Sequence, residues 1–142
     1  MGRFSDQYID ELLGGNKPLQ LAEISAIICG SACFNLQATD YGLPVVGFVY
    51  VEVLTWFAQA IRSSVWTYYE ATPLVRQETM LSALRRLAPP SFSDWYERGM
   101  REWTDEERIR VVDSWLEAND EVAQKWLRNL LAENRNVLRQ LT

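Results

Sequence analysis

Residues 45–62 read VVGFVYVEVLTWFAQAIR, and how this run is read decides the fold. Its opening, VVGFVYVEV, is β-branched and aromatic, which suits a strand. Alternation fails, because both faces of such a strand are apolar. The apolar residues also continue through LTWFAQAI, past the usual length of a strand. The run therefore reads as one helix, apolar nearly all round, which belongs in a core. A lone edge strand is the weaker reading. A membrane span competes as well, since residues 41–61 are long enough. Glu52, near the middle, costs about 2.5–3.5 kcal/mol on insertion, and Pro44, Thr55 and Gln59 add to that cost. No cluster of positive charge flanks the run. The helices downstream are amphipathic and need a partner for their apolar stripes, which favours a buried core helix.

Working outward, Ser5–Asp6 opens a short helix and Gly14–Gly15 closes it. Pro18 precedes a helical run over residues 19–36, in which Cys29 and Cys33 share a face as small core residues. Asp40–Tyr41–Gly42 and Pro44 mark a turn. On the far side, Thr72–Pro73 places a cap residue before a proline at the first helical position. Leu74, Met80, Leu81, Leu84 and Leu87 form that helix's apolar face, and Pro89–Pro90 ends it. Ser91–Asp94 and Thr104–Glu107 both resemble capping boxes. Each precedes a stripe, first Trp95, Tyr96, Met100 and Trp103, then Ile109, Val112, Trp115 and Leu116. Asn119, Asp120 and Glu121 start a last helix carrying Val122, Trp126, Leu130, Val137, Leu138 and Leu141. The expected fold is all-α: one compact domain over residues 1–142, a bundle of about six or seven helices with short connections.

Composition removes several chemistries. The chain has 142 residues, 48% hydrophobic and 23% charged, the globular range. It contains no histidine, which excludes His general bases, His-dependent triads and the Glu-x-x-His metal sites of helical bundles. Two cysteines make neither a disulfide framework nor a four-ligand zinc site, so a reducing cytoplasm is expected. The first residues hold no apolar signal core, and Asp6 stands where a myristoylation signal after Gly2 needs Ser or Thr. No cofactor and no metal are expected.

Charge is distributed unevenly. The net charge is −5, which mildly repels nucleic acid and anionic lipid. Residues 94–121 hold ten acids against four arginines, a net of −6, whereas residues 122–142 carry one acid against four bases, a net of +3. Acid runs are ordinarily solvated faces and helix-start charges. Glu106 with Arg110 reads as an i,i+4 ion pair, and Asp113 with Glu117 as a mild repulsion. The sharper reading is an acidic surface that docks a basic partner or imitates a row of phosphates. Earlier in the chain, Trp56, Phe57, Trp66, Tyr68 and Tyr69 crowd into fourteen residues. Most of these should be core, but Trp66, Tyr68 and Tyr69 cannot all face one way on a helix. An exposed one beside Arg62 would anchor an interface. The candidate partner-binding set is therefore Glu102, Asp105, Glu106, Glu107, Asp113, Glu117, Trp66 and Tyr69.

A stretch of the chain also resembles a known family. Glu52–Val53, Phe57–Ala58–Gln59, Ser63–Ser64 and ETMLSALRRLAP over residues 78–89 are similar to a family of small helical bacterial proteins that includes DNA-mimic proteins. The family pattern runs Glu, a small gap, Asn-Gly-Gly-Phe-x-Gln, then an aromatic and Asn-Ser-Ser-Gly region. Leu54, Thr55 and Trp56 stand here in place of Asn-Gly-Gly, and Arg62 in place of the Asn. The likeness covers residues 52–88. It implies an acidic, non-enzymatic protein that sequesters a DNA-binding partner.

The functional expectation is a protein-interaction module, not an enzyme. It would mask a basic partner, either a DNA-binding protein or, as an immunity-type protein, a toxin. Neither nucleic acid nor membrane is a direct partner in this reading, and a homodimer is compatible with it. The alternative is a small-ligand or enzymatic helical domain with an aromatic pocket around Trp56, Trp66 and Tyr69.

Overall fold

The computed structural model describes residues 5–14 and 18–141. Gly15, Gly2 and Lys17 lie outside the described residues. Among those described, all regular secondary structure is helical and there is no strand. Among the described residues nine helices occur: α1 Asp6–Gly14, α2 Pro18–Cys29, α3 Val45–Arg62, α4 Trp66–Ala71, α5 Leu74–Leu87, α6 Pro90–Glu102, α7 Glu106–Ala118, α8 Asp120–Glu133 and α9 Arg135–Leu141. The expectation of six or seven undercounts, for two local reasons. The Ser63–Ser64 break separates α4 from α3, and Asn134 separates α9 from α8.

The chain divides into two compact units: residues 1–51 with 121–142, and residues 52–120. In the first, α1 packs on α2 and α2 on α9. Ser5 accepts a hydrogen bond from the Tyr8 N–H through its hydroxyl at 3.2 Å, the start signal expected of it. The core holds Ile9, Leu12, Leu21, Ile24, Ile28, Leu127, Leu130, Leu131, Leu138 and Leu141. The helix expected over residues 19–36 ends early, at Cys29. Gly30 follows, the residue type that most often ends helices. Cys29 is consequently only half-buried and Cys33 is exposed in the turn beyond, so the cysteines are not a core pair. The turn before α3 is as expected. Tyr41 has φ 58° and Gly42 φ 69°. A side chain at Gly42 would press on the Cys33 carbonyl at 2.9 Å, so glycine is required there.

In the second unit, α6 packs against α4, α5 and α7. Trp56, Phe57, Phe92, Tyr96 and Trp115 form a cluster of rings with centroids 5.1–6.0 Å apart, tilted or edge-to-face. Three helix starts differ from the expected ones. Pro73 is the residue before α5 rather than its first. Thr72 instead closes α4, its hydroxyl donating to the Tyr68 carbonyl at 2.6 Å. α6 begins at Pro90, which puts Ser91 inside the first turn with no capping bond. α7 is capped by Asp105, not Thr104: Asp105 Oδ1 accepts from the N–H groups of Glu107 and Arg108 at 3.1 and 3.0 Å. A carboxylate at a positive helix end outcompetes the neighbouring hydroxyl.

The decisive run is one helix, α3, with the expected ends. It is long and apolar enough to cross a membrane, and 61% of it is buried within the protein. Core helices share this length and composition.

Candidate functional site

The second unit contains two sites worth building up, one buried and one open. The buried one starts from Glu52, only 1% exposed. An isolated buried carboxylate is costly, so it needs hydrogen-bond donors. The Tyr68 hydroxyl donates to Glu52 Oε2 at 2.5 Å and also lies 2.7 Å from the Tyr96 hydroxyl. Beside this pair, Trp56 Nε1–H donates to the Tyr69 hydroxyl at 3.0 Å, and that hydroxyl donates to the Tyr96 carbonyl at 3.0 Å. Burial pushes the Tyr68 phenol well above its usual 10.0, and the adjacent Tyr96 and Glu52 push the same way. Burial and then Tyr96 raise Tyr69 likewise, while the Trp56 hydrogen bond pulls it down. Gly99 of α6 makes this packing possible. A Cβ there would sit 2.2 Å from the Tyr69 hydroxyl oxygen. Every member of the cluster is buried, so it organises a core rather than meeting a solute.

The open site is built on the chain reversal before α4. Asp113 of α7 reaches across to it: Oδ2 accepts from the Ser64 hydroxyl at 2.6 Å and Oδ1 from the Val65 N–H at 2.7 Å. Thr67 adds a bond to the Ser64 carbonyl at 2.7 Å and one to the Gln59 side chain at 3.1 Å. Helical periodicity then divides the aromatics. Val65, Tyr68 and Tyr69, at i, i+3 and i+4, turn inward and are buried. Trp66 falls on the opposite side and is 40% exposed. Trp103, at the end of α6, and Thr104, Glu106 and Ile109, at the start of α7, complete an open depression of about 410 Å³ around it.

The candidate residues thus separate. Trp66 and Glu106 meet in this depression. Asp105 caps α7 beside it, and Glu107 is exposed on the same first turn. Glu117 is exposed further along α7. Glu102 is engaged within the chain, with Arg98 Nε at 3.0 Å and Arg108 at 3.9 Å. Asp113 is a positioning residue whose two oxygens are both occupied by the Ser64–Val65 backbone turn. Tyr69 is a correction: at 2% exposure it belongs to the core and offers no surface to a partner. Trp56 and Tyr69 are both buried and bonded to each other, and neither lines this depression. Trp103 and Ile109 were legible only as members of apolar stripes. Nothing in their spacing marks them as walls, because the bend between α6 and α7 is what brings them beside Trp66.

The acid run is partly neutralised within the chain. Besides Glu102, Glu97 pairs with Arg85 at 2.9 Å, Asp105 with Arg108 at 3.7 Å and Glu106 with Arg110 at 3.4 Å. Glu107 and Glu117 have no ion pair among the described residues. The described residues contain no group of three or more acidic or cysteine side chains able to hold a metal. The residues carrying the DNA-mimic resemblance fall largely on packing: Glu52, Val53 and Phe57 are buried, and Gln59 bonds Thr67. Compared with known protein families, with curated proteins and with solved structures, the chain matches none.

Proposed function

We propose that this protein is a non-enzymatic interaction module that binds and masks a basic protein partner through the surface where α6 meets α7. The observation that carries this reading is the half-exposed indole of Trp66, set in an open depression directly beside the acidic first turn of α7. Tryptophan is among the residues that most often anchor protein interfaces. Glu106 on the wall of the depression, Glu107 on the same turn and Glu117 further along α7 supply charge complementarity, which steers encounter and rejects acidic competitors. The ion pairs already present on this face, such as Glu106–Arg110, are exposed at both ends and worth about 0–1 kcal/mol, so a partner can displace them. The resemblance of residues 52–88 to a family with DNA-mimic members points the same way. A DNA-binding protein or a toxin would both present the required basic surface.

The test compares the wild-type chain with the triple reversal Glu106→Lys, Glu107→Lys, Glu117→Lys as affinity baits in the native host. Asp113 is left intact because it holds the Ser64–Val65 turn. A basic protein retained by wild type, released by moderate salt and lost with the reversal is the expected result. Equal recovery on both baits overturns the reading.

A further inference from the structure

We infer that the depression between Trp66 and Trp103 receives one cationic side chain of the partner, an arginine guanidinium, held over the indole faces with Glu106 as its counter-ion. This rests on the interaction reading above and names the chemistry of its central contact. Two indoles line a small open volume, about 410 Å³, with a single carboxylate on its wall and the buried Ile109 among its lining residues. That size is near the lower end of the roughly 300–1,000 Å³ seen for ligand sites, suited to one extended side chain. Indole is the strongest aromatic acceptor of a cation, and an arginine plane stacks on it while its fork reaches a carboxylate. The same unit already makes this combination internally. The Arg98 guanidinium lies 4.8 Å from the Trp95 ring centroid, while its Nε donates to Glu102 at 3.0 Å. Trp66, Trp103 and Glu106 present the same two kinds of group at the surface. Charge complementarity favours a basic protein over an apolar segment, since residues 94–121 carry a net of −6.

A capped arginine–glycine repeat peptide, titrated into the ¹⁵N-labelled full chain, tests this by NMR. The indole N–H signals of Trp66 and Trp103 should move together with the amides of Glu106 and Glu107, while the buried Trp56 indole stays in place. Trp66→Ala and Trp66→Leu should both weaken the peptide roughly fivefold, because leucine restores apolar area but no ring face. Glu106→Gln should weaken it while keeping the shape of the wall. Retained affinity in Trp66→Leu overturns the cation–π contact. Movement of the α7 amides with still indoles overturns the pocket while leaving the acidic surface in place. No movement anywhere overturns the interaction reading itself. Saturation by arginine amide at the same concentrations as the peptide overturns the protein partner in favour of a small free cation.

Discussion

The two units solve the same problem, burying a helix surface, by different means. Residues 1–51 with 121–142 pack mostly aliphatic side chains, with a short row of rings in which Phe34 stacks on Tyr41 and Tyr41 meets Phe48, and their charges meet at the surface. Arg135 pairs with Asp10, and Arg139 with Asp6, so basic α9 and acidic α1 compensate each other. One phenol, Tyr50, donates to the Leu21 carbonyl at 2.8 Å within this unit. Residues 52–120 pack a larger cluster of rings, in which Trp56, Tyr68, Tyr69 and Tyr96 are bonded to each other, to Glu52 and to backbone. This unit also holds twelve acids against eight arginines, a net of −4, against −1 for the other. Aliphatic packing is tolerant of small shape changes, whereas a hydrogen-bonded ring cluster demands each atom in place. The unit with the more exacting core is also the one that displays the open indole.

The sharpest way to break this contrast is Gly99→Ala. The new methyl collides with the Tyr69 ring, and a loss of about 3 kcal/mol is expected in urea unfolding, whereas glycine to alanine inside a helix ordinarily stabilises by about 1 kcal/mol. Next, Tyr68→Phe removes a donor from the buried Glu52 and should cost about 2 kcal/mol, whereas Tyr50→Phe in the other unit should cost about 1 kcal/mol. Equal losses would erase the distinction between the two cores.

Alkaline pH probes the same pair of cores. Tyr68 and Tyr69 are raised above 10.0 by burial, and Tyr50 is raised by burial against an opposing pull from Arg128. Unfolded phenols lose their protons first, so the native state binds more protons above pH 10 and stability falls as pH rises through that point. Below it this contribution is fully present. Spectrophotometric titration should show these three phenols ionising only with unfolding, in a step absent from a denatured control. Removing Tyr68 should reduce the alkaline loss.

Asp113→Ala frees the Ser64 hydroxyl and leaves the Val65 N–H without its acceptor, for an expected loss of about 1.5 kcal/mol. It should also alter Trp66 emission, because the turn that presents the indole loosens. Asp113→Asn should restore part of both. The smallest effect belongs to the exposed ion pairs of the aliphatic unit. Arg135→Ala and Arg139→Ala should each cost about 0.5 kcal/mol or less, and high salt should remove the difference.

Much of the architecture is legible in the letters. The ends of α3 follow from the turn at Asp40–Pro44 and from the change at Arg62–Ser63, and its helical nature follows from the failure of alternation. The starts of α1, α5, α7 and α8 were placed to within a residue or two by Ser5–Asp6, Thr72–Pro73, Thr104 and Asn119–Asp120. The misplacements arise where two start or stop signals adjoin. At Thr104–Asp105 both residues can cap, and the charged one takes the helix end. Before Gly30 the helix stops short of the apolar residues beyond it, and Cys33 is exposed.

The site was legible only in part, because exposure is a property of the assembled unit. Trp66, Tyr68 and Tyr69 are equivalent in composition, and local periodicity says only that they diverge. Which of them faces inward depends on where α6 lies, and Gly99 settles that by admitting the Tyr69 ring. Asp113 looked like one more member of an acid run until the fold brought it to Ser64, far away in the chain. Sequence alone determined that the chain is helical, lacks histidine chemistry and concentrates its acids before residue 122, since periodicity and composition are local quantities. The tertiary structure alone decided that Asp113 is engaged by Ser64 and Val65, which aromatic is displayed and that Trp103 stands beside Trp66, since each of these requires residues distant in sequence to meet.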